Sequence, residues 1–570
     1  MTNDWTLDLS TQHHRVDKEI DVGFHIAVWF ISCGLALVIW VRYSVQQSEN
    51  SISKYLPPIA PEGFSETVSL LLSDDGPSYL LHNLQRFGSI YRVNMIPGFH
   101  CVHCGDGVAA KTLLKGEPYT NLPKATWLLQ TLNPIFNNTP TILTTDGSVS
   151  MKRRQHIQKT AFRFRAIHDM VEEECLPEIE RWLGRLQSHC NRSSTNCVVL
   201  DVTKDISELT LRVLSRAAFG YDLSDEETER YIRNMDDATQ EYVNRQALNP
   251  LRKLTSWMLP DARRARRAVL ETRDLAMRIV DNYRRHKEKS SKRKQIILDS
   301  IMTCDSYRND EERLAEILLF LFAGHDTTSH SLAWILLELS RNAKAQEEAF
   351  RELQEFPESV SLLERANQSD FIQHVITEGL RLHPVTHVGT VRYTRSEYVV
   401  KAKCVDRKYL IPKGSFVWFP PMVAHRDEAY FDNPNEFDPF RWRQSSTSTE
   451  SLMPFAAGRR QCMGQNLAQM EMRVILAALL ERYKLEVVDE GTPRCSFLYK
   501  TEGSTIRFVS RTKTSVTHHR TPTHRIKATC AVSRTPERPK MNMDQEQDDS
   551  GLIWSFLSPA LPGKKKWVTM

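Results

Sequence analysis

No cysteine framework organises this chain. Its eleven cysteines are an odd number and lie scattered over 570 residues. Only Cys101-Val-His-Cys104 brings two close together, and no second pair follows at zinc spacing. A disulfide scaffold and a zinc ribbon are therefore excluded, and a reducing, cytosol-facing environment fits best. The CxxC lies in an alternating apolar stretch, Ser89 to Val102, and reads as strand. Internal repeats are absent too. A charge of one sign is also lacking: the formal net charge is +5, but residues 511–570 contribute +6, leaving −1 on residues 1–510. The basic run Lys287 to Lys294 has no interleaved aromatics, so no nucleic-acid partner is expected.

What is present suits a large globular core, with 41% hydrophobic and 25% charged residues. Residues 1–21 form a polar tail. Val22 to Val41 then runs without a formal charge, about 30 Å as a helix, which is one hydrocarbon core. A convincing charged n-region and small-residue cleavage site are missing, so 22–41 reads as a retained transmembrane anchor. Lys/Arg bias across it is too weak to set orientation. Residues 42–63 form a linker ending in the proline-rich hinge Tyr55 to Gly63, where prolines stiffen the chain. Residues 64–511 carry mostly helical patterning, with strand pairs near 88–103, 388–419 and 484–510. Residues 512–570, rich in Thr, Ser, Pro and His without periodicity, read as a disordered basic extension.

Four ordered motifs carry chemistry. Cys462 stands in Phe455-Ala-Ala-Gly458-Arg-Arg460-Gln-Cys462-Met-Gly464. Leu467, Met470, Val474 and Ala477 follow at helical spacing, so the cysteine occupies a glycine-flanked loop at a helix start. The helix dipole and nearby N–H groups stabilise a thiolate there, a good soft metal ligand. Upstream, Leu314 to Leu339 predicts a long apolar helix. Ala323-Gly324-His-Asp326-Thr327-Thr328 interrupts it with residues of low helix propensity, which predicts a local irregularity. Glu378 and Arg381 share a helical face at i, i+3, with Pro384 marking the helix end. Gly379 inside that helix costs about 1 kcal/mol relative to Ala, and the sequence offers no account of it. Arg392 lies in strand-like Val388 to Tyr393, and Phe437-Asp-Pro439-Phe-Arg441-Trp442 supplies a further arginine.

Over residues 55–511 these motifs resemble the cytochrome P450 family. The resemblance implies a mainly α fold with small β-sheets, the cytochrome P450 fold, as a single haem domain after an N-terminal transmembrane helix. It implies heme b as cofactor, with Cys462 as axial thiolate on the iron, a ligand that favours O–O cleavage. Arg460 and Arg392 would contact the haem propionates. Phe455 would pack against the loop and tune access to the sulfur, while Gly458 and Gly464 belong to the loop itself. Ala323 and Gly324 would let haem or oxygen approach the helix. Thr327 would hydrogen-bond dioxygen or its water, and Asp326 would help relay protons. Glu378, Arg381 and Arg441 would form a buried structural charge network behind the loop. One family element is missing. Its Trp-x-x-x-Arg propionate contact falls on Met151 and Gln155, with Lys152, Arg153, Arg154 and His156 nearby as replacements in a shifted register.

The resemblance further implies a monooxygenase inserting one oxygen atom of O2 into a lipophilic substrate: a steroid, terpenoid, fatty acid or other hydrophobic metabolite. Electrons would come from NADPH through NADPH-cytochrome P450 reductase, with cytochrome b5 as a second candidate donor. A desaturase, an isomerase or dehydratase on the same fold, and a catalytically inactive membrane-anchored interaction protein are the alternatives. Substrate contacts would come from residues 117–150 and from Asn249 to Pro260, a region that dips into the bilayer in anchored members. The implied location is the endoplasmic reticulum membrane, single-pass, with the catalytic domain facing the cytosol.

Overall fold

Asn309 starts the longest helix of the molecule. Its side chain accepts the Glu312 N–H at 3.0 Å, and Asp310, Glu311 and Glu312 complement the dipole of the first turn. That helix is the spine around which the others pack. The computed structural model describes residues 55–511, apart from 97–98, 117–118, 247–248, 250, 288–295, 404–406, 445–448 and 496. The anchor expected at 22–41, residues 42–54 of the linker and the extension at 512–570 lie outside the described residues. Among the described residues, no helix is long and apolar enough to cross a membrane.

The longer helices are α1 (Gly76–Phe87), α2 (Gly107–Lys115), α3 (Ser148–Thr160), α4 (Leu176–Arg192), α5 (Val202–Phe219), α6 (Asp225–Thr239), α7 (Pro260–Lys287), α8 (Asp310–Arg341), α9 (Ala343–Gln354), α10 (Asp370–Leu382) and α11 (Gln465–Arg482). The strands are β1 (Ile59–Gly63), β2 (Ile90–Ile96), β3 (Phe99–Cys104), β4 (Cys197–Asp201), β5 (Thr390–Tyr393), β6 (Tyr398–Lys401), β7 (Lys408–Ile411), β8 (Phe416–Phe419), β9 (Tyr483–Asp489), β10 (Thr492–Cys495), β11 (Tyr499–Glu502) and β12 (Thr505–Ser510). A five-stranded sheet runs β1-β2-β3-β8-β5, and smaller sheets are β4-β12-β9, β6-β7 and β10-β11. The molecule is thus mainly helical with small sheets. The hinge residues Ile59–Gly63 pair in parallel with β2, so part of the proline-rich segment belongs to the sheet. Cys101 and Cys104 are buried in β3, and burial pushes the Cys101 thiol up to about 12.

Helix α8 is buried along most of its length and meets α5 and α10. Two glycines permit these contacts. A Cβ at Gly324 would sit 2.9 Å from Leu214 of α5, and one at Gly379 would sit 2.3 Å from Ile335 of α8. Close helix packing is therefore why Gly379 tolerates its propensity cost. The expected irregularity at 323–328 does not occur: α8 is continuous from Asp310 to Arg341. Its hydroxyls explain this. Thr327 donates to the Ala323 carbonyl at 2.9 Å, Thr328 to Gly324 at 3.1 Å and Ser331 to Thr327 at 2.8 Å. Back-bonding to i−4 lets the polar residues stay inside the helix.

Candidate active site

The cysteine loop is shaped by two positive φ angles, 58° at Ala456 and 74° at Gly458. A Cβ at 458 would lie 2.1 Å from the Leu114 carbonyl oxygen, so only glycine fits. The turn closes where Cys462 N donates to Phe455 O at 2.9 Å. Helix α11 begins three residues later, with Leu467, Met470, Val474 and Ala477 all buried. The N–H groups of Gly464 and Gln465 hydrogen-bond the Cys462 sulfur, and the Arg154 charge also favours its thiolate. Burial is the largest influence and pushes the thiol above its ordinary value. Yet Cys462 is exposed by surface area. Both observations hold if the sulfur lines an interior cleft rather than packed side chains.

Ala323 repeats that signature from another element. It is exposed in the middle of α8, directly after buried Leu321 and Phe322. Gly324, Asp326 and Thr327 are partly exposed beside it. Asp326 Oδ1 lies 3.1 Å from Nε2 of buried His325, and the His325 ring meets Tyr231 edge-on at 5.5 Å. Gly324 differs from its expected use: the space a side chain would need there is filled by Leu214, so its glycine serves helix packing.

A third group surrounds Asp146. Arg460 donates to both Asp146 oxygens, at 2.7 and 2.9 Å, and the Lys124 N–H donates to it at 2.8 Å. Lys124, Arg154, Arg392 and Arg460 lie close enough to repel one another. Burial, then the Arg460 charge, depresses buried Arg392 to about 9, and burial takes Lys124 to about 7. Burial is the chief cause in both, and of the charges that act on the two groups Asp146 is the one carboxylate among several cations. Arg154 donates to the Gln461 carbonyl, next to Cys462. The neighbouring cations have other positions: Arg153 is buried against Glu312 and Ser306, and Lys152 is exposed. Met151 is buried and Gln155 exposed. Lys124 and Asp146 had no local sequence signature, since strand bridging and loop folding bring them in, whereas Arg154 is the member of the 152–156 cation cluster that reaches the cysteine loop.

A model of the cytochrome P450 family matches residues 63–506. The chain belongs to the cytochrome P450 family. It is 25% identical to cyclooctatin synthase of Streptomyces melanosporofaciens, over 75% of this chain and 90% of that protein. It is 31% identical to the probable cytochrome P450 508C1 of Dictyostelium discoideum, over 37% and 45% respectively. To leukotriene-B4 omega-hydroxylase 3 of Mus musculus it is 30% identical, over 52% and 59%. The last two matches thus span about half the length of those relatives. The P450 cofactor is a haem whose iron is held by a cysteine thiolate, and this chain's residues suit one. Cys462 is exposed, and a cluster of cations around Arg460 and Arg392 lies where two carboxylates would find partners.

The P450 charge network is complete in this chain. Glu378, Arg381 and Arg441 are all buried. Arg381 donates to both Glu378 oxygens at 2.8 and 2.9 Å, Arg441 donates at 3.0 Å, and Trp442 Nε1 and Asp438 N supply two more donors. Arg381 also donates to the carbonyls of His425, Pro434 and Glu436. A buried carboxylate needs this full complement of donors, because leaving a buried charge unpaired costs several kcal/mol. The network ties α10 to the segment 432–442 that leads into the cysteine loop.

Proposed function

We propose that the protein is a haem-thiolate monooxygenase that inserts one atom of O2 into a lipophilic substrate. The observation that carries the proposal is the exposed Cys462 together with a cation cluster in which Asp146 is the one carboxylate. Cys462 would hold the iron, and Arg460, Arg392 and Arg154 would hold the propionates. When bound, the haem supplies the oxygen chemistry.

The chain's own residues then orient, exclude water and move protons. Gly464 and Gln465 N–H groups hold the sulfur lone pairs, and Arg154 stabilises its negative charge. Thr327 would turn its hydroxyl from Ala323 O toward the cleft and pass on its proton, and Asp326, protonated in turn by water, would restore it. Phe136, Phe322 and Phe497 pack in the apolar core next to Ala323, with ring centroids 6.0 and 5.8 Å apart, and would give an apolar substrate apolar surroundings. Electron delivery by a reductase, with cytochrome b5 as an auxiliary, fits the exposed cations Lys152, Lys159, Arg163 and Arg165 on and just after α3. The exposed cluster Leu251, Leu254, Trp257 and Met258 suits a bilayer surface and supports membrane residence together with the 22–41 segment. Fractionation after deletion of residues 1–41 checks this: an unchanged membrane fraction would contradict an anchoring role for that segment.

Reconstitution with reductase under 18O2 tests the reaction. Product carrying one labelled oxygen is expected, and label-free product would refute insertion. In the same assay, Thr327→Ala should divert NADPH into peroxide. Tight coupling in that variant would remove Thr327 from proton delivery.

A further inference from the structure

Loop 137–147 is gripped from both sides at one residue. The Ile142 N–H donates to Glu316 Oε1 at 2.7 Å, and the Ile142 carbonyl accepts from Lys124 Nζ at 2.6 Å. Glu316 stands about two turns before Ala323 on α8 and is fully buried. Its second oxygen accepts the Tyr307 hydroxyl at 2.8 Å, and the Arg153 guanidinium lies 4.3 Å over the Tyr307 ring. Lys124 Nζ also donates to the Thr145 carbonyl at 3.0 Å and the Leu143 carbonyl at 3.3 Å. The next residue of the loop is Asp146, the carboxylate shared by Lys124 N and Arg460. A continuous series of bonds therefore runs from α8 through Ile142, Lys124 and Asp146 to Arg460.

Apolar residues would secure this loop at lower cost, because burying a carboxylate and an ammonium carries a large desolvation penalty. The pair has a geometric use instead: Glu316 holds the peptide N–H on one side of the Ile142 Cα and Lys124 holds the peptide carbonyl on the other, which fixes the backbone at that residue. Lys124 also lowers the Glu316 carboxyl against the burial that raises it to about 7. We propose that Glu316 and Lys124 are positioning residues that clamp the backbone at Ile142 from both sides, hold Asp146 against Arg460, and so couple helix α8 to haem retention. The proposal rests on the haem reading above.

Haem transfer from the purified full-length haem protein to excess apomyoglobin tests it, with amide hydrogen exchange of residues 137–147 followed in parallel. Residues that orient metal or cofactor contacts typically change affinity 10–100-fold. E316L and K124M are therefore each expected to speed haem loss about tenfold and to raise exchange within 137–147, while E316Q, which keeps the acceptor for Ile142 N–H, stays within about twofold of the parent. The double variant E316L/K124M should lose haem no faster than the worse single variant, because both act on the backbone of one residue. Parental rates in both single variants, unchanged exchange at 137–147 despite faster loss, or additive effects would overturn the clamp. If E316L does not fold, K124M and K124M/E316Q decide by the same criteria. Failure of the haem reading is distinct: the parent protein would then have no thiolate-haem band to follow, whereas failure of the clamp leaves that band decaying at parental rates.

Discussion

Adjacent arginines on α3 divide two tasks. Arg154 reaches the Gln461 carbonyl beside the cysteine, whereas Arg153 is buried against Glu312 and the Tyr307 ring. Arg154→Ala is expected to accelerate haem loss with little change in thermal unfolding. Arg153→Ala should destabilise the fold by about 1–3 kcal/mol, because Glu312 and the Ser306 carbonyl lose a buried donor while Arg308 still pairs with Glu312. Comparing haem transfer with calorimetry on the two variants checks the division, and reversed effects would contradict it. The sequence pattern brought out the cation cluster 152–156 but could not choose among its members. That choice depends on which side of α3 faces the loop. Cys462, by contrast, was legible directly, because the glycines, the arginine and the following helix all lie within a dozen residues. Lys124, Asp146 and Glu316 were invisible for the opposite reason: their relation is made by folding over more than 150 residues.

At the scale of elements, the seam between α8 and α10 depends on the missing side chain of Gly379. Helix propensity alone says that Gly379→Ala should stabilise α10 by about 1 kcal/mol. Packing predicts the reverse, a loss of about 1–3 kcal/mol, since the new Cβ would meet Ile335 Cγ1 at 2.3 Å. In an Ile335→Ala background the penalty should shrink, and denaturant melts of the four variants measure this. Equal penalties in both backgrounds would contradict the steric account. The same scale shows where sequence reasoning overreached. Low propensity at Ala323 to Thr328 predicted a broken helix, but the hydroxyls of Thr327 and Thr328 bond back to the helix and the neighbouring helices cover it. Tertiary packing overrode local preference there. The strands near 88–103, 388–419 and 484–510 were legible because alternation is local; β4 was missed because it is short and pairs with β12 some 300 residues on.

At the scale of the whole molecule, stability should depend on pH through Glu471. This residue of α11 is buried, its Oε1 has no hydrogen-bond partner, and burial pushes its carboxyl up to about 8. The folded protein keeps the Glu471 proton up to that pH, while the unfolded chain releases it in the ordinary carboxylate range. The folded state therefore binds more protons between those limits, and stability falls as pH rises through them, by at most about 1.4 kcal/mol per pH unit. Glu471→Gln should flatten this decline. Melting temperatures at pH 5 and pH 8 test it, and an equal decline in parent and variant would exclude Glu471 as the source.

The account turns on one bond, from the Cys462 sulfur to haem iron. Reduced protein under carbon monoxide should give the red-shifted Soret band that marks a haem-thiolate, and Cys462→Ala should abolish it. A reduced, haem-loaded parent protein without that band, or a Cys462→Ala variant that retains it, would contradict the central claim.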